Sequence, residues 1–208
     1  MNQKYYVHLA KKHFAELVFN TAYIEGVDVT LSQTQTIIDQ GSVENVSNSD
    51  IQTVLNLKDA WKYMIKNVDQ DLTLEYICKI NQFVSRNESL DWGVLRYGNI
   101  GISGTNYKPN IPNKEDVINQ IDKLNQIPDQ KLKALKFFGY IVRNQLFWDG
   151  NKRTATIIAA KVLIQNGLGI LTIGKSNALN FNESLLNYYN TNDDSMLLEC
   201  LNNCIKTE

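Results

Sequence analysis

The sequence predicts an all-α, mainly helical protein: a single domain over residues 1–208 that carries one small β-hairpin flap. Three observations predict it. Apolar residues recur at spacings of three and four along most of the chain. Residues 154–165 are apolar on nearly every side, as expected of a helix at the centre of its domain. Residues 90–112 break the helical pattern with four glycines, two of the three prolines and an alternation around Ile100 and Ile102.

Taken in order, Phe14, Leu17, Val18 and Ile24 fit one face of a first helix, residues 10–26, that stops at Gly26. Residues 30–40 read as a short second helix closed by Gly41. The polar cluster Ser47-Asn48-Ser49-Asp50 caps a third, whose stripe runs through Ile51, Val54, Trp61, Ile65 and Val68. Asp71 is the expected cap of a fourth, with Leu74, Ile77, Cys78 and Val84 facing inward. Trp92, Leu95, Tyr97 and Tyr107 give the flap region, 90–112, too much apolar surface for a free linker. Residues 114–125 and 131–146 are helical again, the latter with the stripe Leu132, Leu135, Phe138, Val142 and Leu146. A core helix–loop–helix spans 131–167, and two last helices fit 182–190 and 195–205. No internal repeat is visible.

A chain of 208 residues can fill one core. With 21 basic and 22 acidic residues the net charge is −1, so no long-range field draws the molecule to nucleic acid or anionic lipid. Cys78, Cys200 and Cys204 form no metal or disulfide framework and read as thiols of a reducing compartment. No apolar run reaches the roughly 18 residues of a membrane span. Lysines and a histidine interrupt the N-terminal apolar stretch, so the expected location is cytoplasmic.

The chemistry concentrates in NQLFWDGNKRTATIIA, residues 144–159. A helix beginning at Asn151 or Lys152 leaves its first N–H groups unpaired and carries a partial positive charge there. Gly150 allows close backbone approach, and Lys152 and Arg153 add two full charges. These are the parts of a di- or triphosphate cradle, with Asp149 placed to hold a magnesium ion that bridges phosphates. A plain tight turn with a solvated first turn has the same composition.

FWDGNKR, residues 147–153, resembles the core of the Fic/Doc family motif, H-x-F-x-[D/E]-G-N-[G/K]-R with a second Arg three residues on. Phe147, Asp149, Gly150, Asn151 and Arg153 match it, and Lys152 matches the Doc-like variant. The stretch Gly93-Val94-Leu95-Arg96 followed by ISGTNYKPNIP is similar to the family's flap. TAYIEG, residues 21–26, fits the family's inhibitory pattern [S/T]-x-x-x-E-[G/N]. The resemblance implies a mainly helical protein that binds ATP with Mg2+ and transfers AMP to a Ser, Thr or Tyr hydroxyl of a protein target; the Doc branch transfers phosphate. It also implies roles: Asp149 for the metal, Gly150, Asn151 and Lys152 along the phosphates, and Arg153 at the terminal ones. Ile100, Gly101, Ile102, Ser103 and Gly104 would pair with target backbone as an added strand, and Glu25 would obstruct the γ-phosphate.

Two positions depart from the pattern. The family's general-base histidine falls on Gln145, and a carboxamide orients a hydroxyl but cannot take its proton. Such a loss typically costs on the order of 10²–10⁴ in rate. Neither His8 nor His13 is placed near the loop. The second arginine is Thr156, so Glu25 loses its usual partner and either turns to Arg153 or Lys152 or is a plain helix-end glutamate before the stop at Gly26. The expectations are a self-inhibited adenylyltransferase slowed by Gln145, or a nucleotide-binding pseudoenzyme acting on a partner, or a Doc-like phosphotransferase. Oligomerisation stays open.

Overall fold

A computed structural model describes residues 2–208. Its helices are α1 (Gln3–Lys12), α2 (Phe14–Tyr23), α3 (Leu31–Gln40), α4 (Asn48–Lys66) and α5 (Leu74–Val84). They are followed by α6 (Lys114–Asn125), α7 (Gln130–Asn144), α8 (Asn151–Gln165), α9 (Ala178–Thr191) and α10 (Ser195–Asn203). Two short strands, β1 (Ile170–Leu171) and β2 (Ile205–Lys206), pair antiparallel with Ile170 opposite Lys206. No helix among the described residues is long and apolar enough to cross a membrane.

Caps explain most boundaries. Thr30 and Gln33 form a reciprocal capping box at the start of α3, and Gly41, at φ 85°, ends it left-handed. Ser47 Oγ accepts the Asp50 N–H at 3.0 Å to open α4. Four expectations change. α5 is capped by Thr73, whose hydroxyl accepts the Tyr76 N–H at 3.2 Å, and not by Asp71. The first helix is two, broken at His13. Ala10 and Leu17 are both buried, and seven residues make two helical turns, so the apolar pattern reads as continuous across the break. Leu132, assigned to the inner stripe of α7, is 37% exposed.

The fourth change concerns the flap. Residues 90–112 contain turns and extended chain but no paired strand; the strands lie in β1 and β2 instead. Arg96 supplies the reason. Arg96 is 1% exposed, and its guanidinium donates to the carbonyls of Gly98 (2.7 Å), Pro109 (3.2 Å) and Asn110, and to Gln145 O (2.6 Å) and Asn144 O (3.2 Å) at the end of α7. Carbonyls that a hairpin would satisfy by cross-strand pairing are satisfied by one side chain. Burial lowers the Arg96 pKa, with no carboxylate opposing it.

α8 is the centre of the molecule. Ala155, Ile157, Ile158, Ala159, Ala160, Leu163 and Ile164 have no exposed surface, and α7, α5, α4, α2, α1 and β1 all pack on the helix. One lysine is buried with them. Lys161 donates to Gln70 O and Gln165 Oε1, both at 2.6 Å, and lies over the Tyr76 ring. Burial brings its pKa down to about 8, against the pull of Asp71 and Asp69. Packing α7, α5 and α2 on one helix fixes the neighbourhood of its N-terminus, where the candidate site lies.

Candidate functional site

The loop between α7 and α8 is built by its own polar side chains. Gln145 leaves α7 in the left-handed region, at φ 44° and ψ 63°. Asn151, the first residue of α8, reaches back: its Oδ1 accepts the Phe147 N–H at 3.0 Å, and its Nδ2 donates to Phe147 O at 2.9 Å and Gln145 Oε1 at 3.1 Å. Phe147 is wholly buried and pins the loop to the core. Asp149 O accepts from Asn81 Nδ2 at 3.0 Å and Ser85 Oγ at 2.9 Å, which ties the same loop to α5.

Gly150, at φ 72°, is needed for packing. A Cβ there would lie 2.4 Å from Ser85 Oγ and 2.6 Å from Val84 Cγ1, so the close approach is to α5. The expected approach of a ligand to Gly150 is therefore blocked on that side. The open side is a cleft of about 460 Å³ that touches Asp149, Asn151 and Lys152. Gln145 and Glu25 also line it, as do Gly101, Ile102, Ser103 and Gly104 of the flap region. Of the residues expected at the site, Gly150, Arg153 and Ile100 are not part of this lining.

Arg153 is turned inward and 3% exposed. Nη1 meets Glu88 Oε2 at 2.6 Å, Nη2 meets Asp149 Oδ2 at 3.1 Å, and Nε faces Glu25 Oε1 at 3.7 Å without a hydrogen bond. Burial works to lower its pKa, but Glu25, Glu88 and Asp149 outweigh burial and leave it raised. Glu88 is in turn fixed by Asn56 Nδ2 at 2.7 Å. Lys152 Nζ lies 3.2 Å from Glu25 Oε2 and donates to Ile24 O at 3.0 Å. Thr156 is buried and spends its hydroxyl on Lys152 O at 2.9 Å. Glu25 thus faces Lys152 and Arg153, the first of the two arrangements open to it.

Gln145 is fully engaged. Its Nε2 donates to Val142 O at 2.7 Å and to Tyr189 Oη at 3.1 Å, while Oε1 accepts from Asn151. Tyr189 does not substitute as a base: burial raises its pKa well above the ordinary value, opposed by the Gln145 hydrogen bond, with Glu25 adding to the rise. His13 pairs with Glu16 at 3.3 Å on another face, and neither it nor His8 lines the cleft.

Tyr189, Leu185, Leu186 and Asn182 of α9 complete the cleft wall. Sequence reasoning missed all four, together with Glu88, Asn81 and Ser85, because nothing local marks a helix face that meets the loop only in three dimensions. Such an assembly has known relatives. Residues 71–163, from the approach to α5 through most of α8, match the model of the Fic/DOC family. That segment resembles a Fic/DOC core. The Fic fold extends past that segment on both sides. Fic-1 (aa134–508) from C. elegans superposes with a TM-score of 0.82 at 19% identity, covering 92% of this chain and 59% of that one. The chain therefore spans about three fifths of that structure's length. A Fic domain containing signaling protein from Bacteroides thetaiotaomicron follows with a TM-score of 0.78 at 18% identity, covering 93% of this chain and 83% of the other. A Fic family protein from Desulfovibrio desulfuricans gives 0.73 at 16% identity, covering 95% and 64%. No curated protein matches the sequence.

Proposed function

We propose that this Fic-fold chain binds ATP in the cleft before α8 and is held shut by Glu25, with transfer of AMP to a protein hydroxyl as its slow reaction. The observation that carries the reading is the position of the Glu25 carboxylate, 3.2 Å from Lys152 Nζ and 3.7 Å from Arg153 Nε at the start of α8. An internal anion lies where unpaired N–H groups and a lysine favour an external one.

Local charge then decides occupancy. Two cations, Lys152 and Arg153, stand among three carboxylates, Glu25, Glu88 and Asp149. A polyphosphate entering this arrangement meets a net negative surround. With Glu25 withdrawn the side chains balance, and the helix end tips the site toward anions. Leu185, Leu186 and Ile102 offer an apolar wall suited to a base. Asp149 keeps a carboxylate 48% exposed. No cluster of three metal-ligating side chains exists among the described residues. The donor set suits an Mg2+ carried on phosphate and water with Asp149 as its protein ligand, which neutralises phosphate charge. In this reading Lys152 and the first N–H groups of α8 hold the phosphates, while Arg153 orients Asp149. The stretch 101–104 lies along the rim, where an extended target segment is positioned for strand-like pairing.

A second reading has an observation of its own. Both amide hydrogens of Gln145 are committed to Val142 and Tyr189, so the residue holds the loop together and accepts no proton. That favours a binding protein that regulates a partner without transfer. A Doc-like kinase reaction has no separate observation in its favour.

Titration calorimetry with ATP and Mg2+ tests the common core of the two readings. Glu25→Gly is expected to bind at least tenfold more tightly than the unaltered chain; two silent titrations would reject nucleotide binding altogether. Label transfer from α-labelled ATP then separates them. Transfer by Glu25→Gly that rises on the order of 10²–10⁴-fold with Gln145→His added marks a transferase lacking its base. Binding without transfer in either variant marks a binding protein.

A further inference from the structure

A cavity of about 730 Å³ lies on a different face, between the end of α1, the start of α2, α3 and α4. Its floor is apolar: Phe14, Ile38 and Ile65 face it, with Leu31, 46% exposed, at one edge. Four lysines rim it, Lys11 and Lys12 from α1 and Lys62 and Lys66 from α4. All four are exposed, and none forms an ion pair among the described residues. The two carboxylates of the groove are already engaged. Glu16 pairs with Lys206 and His13, and Asp39 accepts from Gln35 Nε2 at 2.8 Å.

A chain of net charge −1 that gathers four unpaired lysines around one apolar groove has built a local exception to its own charge balance. Last-turn positions favour Lys11, Lys12 and Lys66 through the helix dipole. The dipole does not account for Lys62 one turn earlier, nor for cations from two helices facing the same floor. We propose that this groove docks an acidic amphipathic helix of a partner protein, with apolar side chains on Ile38, Ile65 and Phe14 and carboxylates on the four lysines. An anionic membrane is the poorer match. Its contact surfaces are convex with protruding apolar side chains, whereas here the apolar groups lie at the bottom of a concavity below the charges.

The probe is a fluorescein-labelled peptide of about four helical turns, leucine at every third or fourth position and glutamate between. Fluorescence anisotropy against the full chain is expected to give saturable micromolar binding that weakens as salt rises. Lys62→Glu combined with Lys66→Glu should weaken it at least tenfold. Leu31→Asp should weaken it severalfold, with circular dichroism unchanged, since these side chains are exposed. Failure of the acidic peptide to bind, equal binding of a peptide with lysine in place of glutamate, or indifference to both variants overturns the proposal. So does preferential binding to phosphatidylserine vesicles. Nucleotide is absent from every arm, so the result stands apart from the fate of the cleft.

Discussion

At the scale of single residues, two side chains do work that their letters do not advertise. Gly150 belongs to the family-like motif, yet what the structure asks of it is contact with α5 and a φ of 72°. Gly150→Ala is expected to cost about 2 kcal/mol or more, since an L side chain is strained there and backbone or α5 must shift. Urea denaturation measures it, and a loss under about 0.5 kcal/mol would show that the loop yields freely. Arg96 closes a stretch similar to the family's flap, and nothing in that stretch shows that it holds five carbonyls. Replacing it with leucine should cost roughly 3 kcal/mol or more, because buried carbonyls lose a charged donor. Lysine should rescue only part of that, lacking the planar fork. Full rescue by lysine would argue that charge alone, without the fork geometry, pins the flap region.

At the scale of elements, α8 is both core and site, and Lys161 shows the tension. Its folded pKa of about 8 lies below the ordinary 10.5. Between those values the unfolded chain keeps a proton that the folded chain has lost, so raising pH through this window favours the fold. Cys78 and Cys204 act oppositely: burial pushes their thiols up to about 11 and about 12, so unfolded thiols ionise first and stability falls above pH 9. The difference between the unaltered chain and Lys161→Met isolates the lysine. That difference should shift toward the unaltered chain between pH 8 and 10.5 by on the order of 2 kcal/mol. A flat difference would mean that Lys161 titrates normally in the fold.

At the scale of the whole molecule, α8 is enclosed by α1, α2, α4, α5 and α7 and by β1 just beyond it, so its opening requires the molecule to open. Hydrogen exchange should find α8 amides protected to the global limit. Residues 98–106, unpaired in any strand, should exchange orders of magnitude faster. Equal rates in the two would contradict a single cooperative core. The same enclosure brings Glu25, well over a hundred residues away in the chain, to the start of α8, and makes the turn after α2 part of the cleft.

Sequence alone determined what depends on near neighbours. The stop at Gly41, the cap at Ser47, the span of α6 and the central character of 154–165 all follow from side chains within a few positions. So does the loop pattern 147–153, whose residue types already imply a bend ahead of an anion-favouring helix end. The break at His13 escaped because its spacing matches an unbroken helix, and Asp71 was preferred to Thr73 because both offer a capping oxygen two residues apart. Only the tertiary structure decided which charges face which. That Arg153 is spent on Glu88, that Gln145 is bound by Tyr189 and Asn151, and that Arg96 replaces a hairpin are outcomes of packing between distant elements. Coulomb and hydrogen-bond energies depend on distances that exist only once α2 and α5 have closed on α8 and α9 on the loop before it.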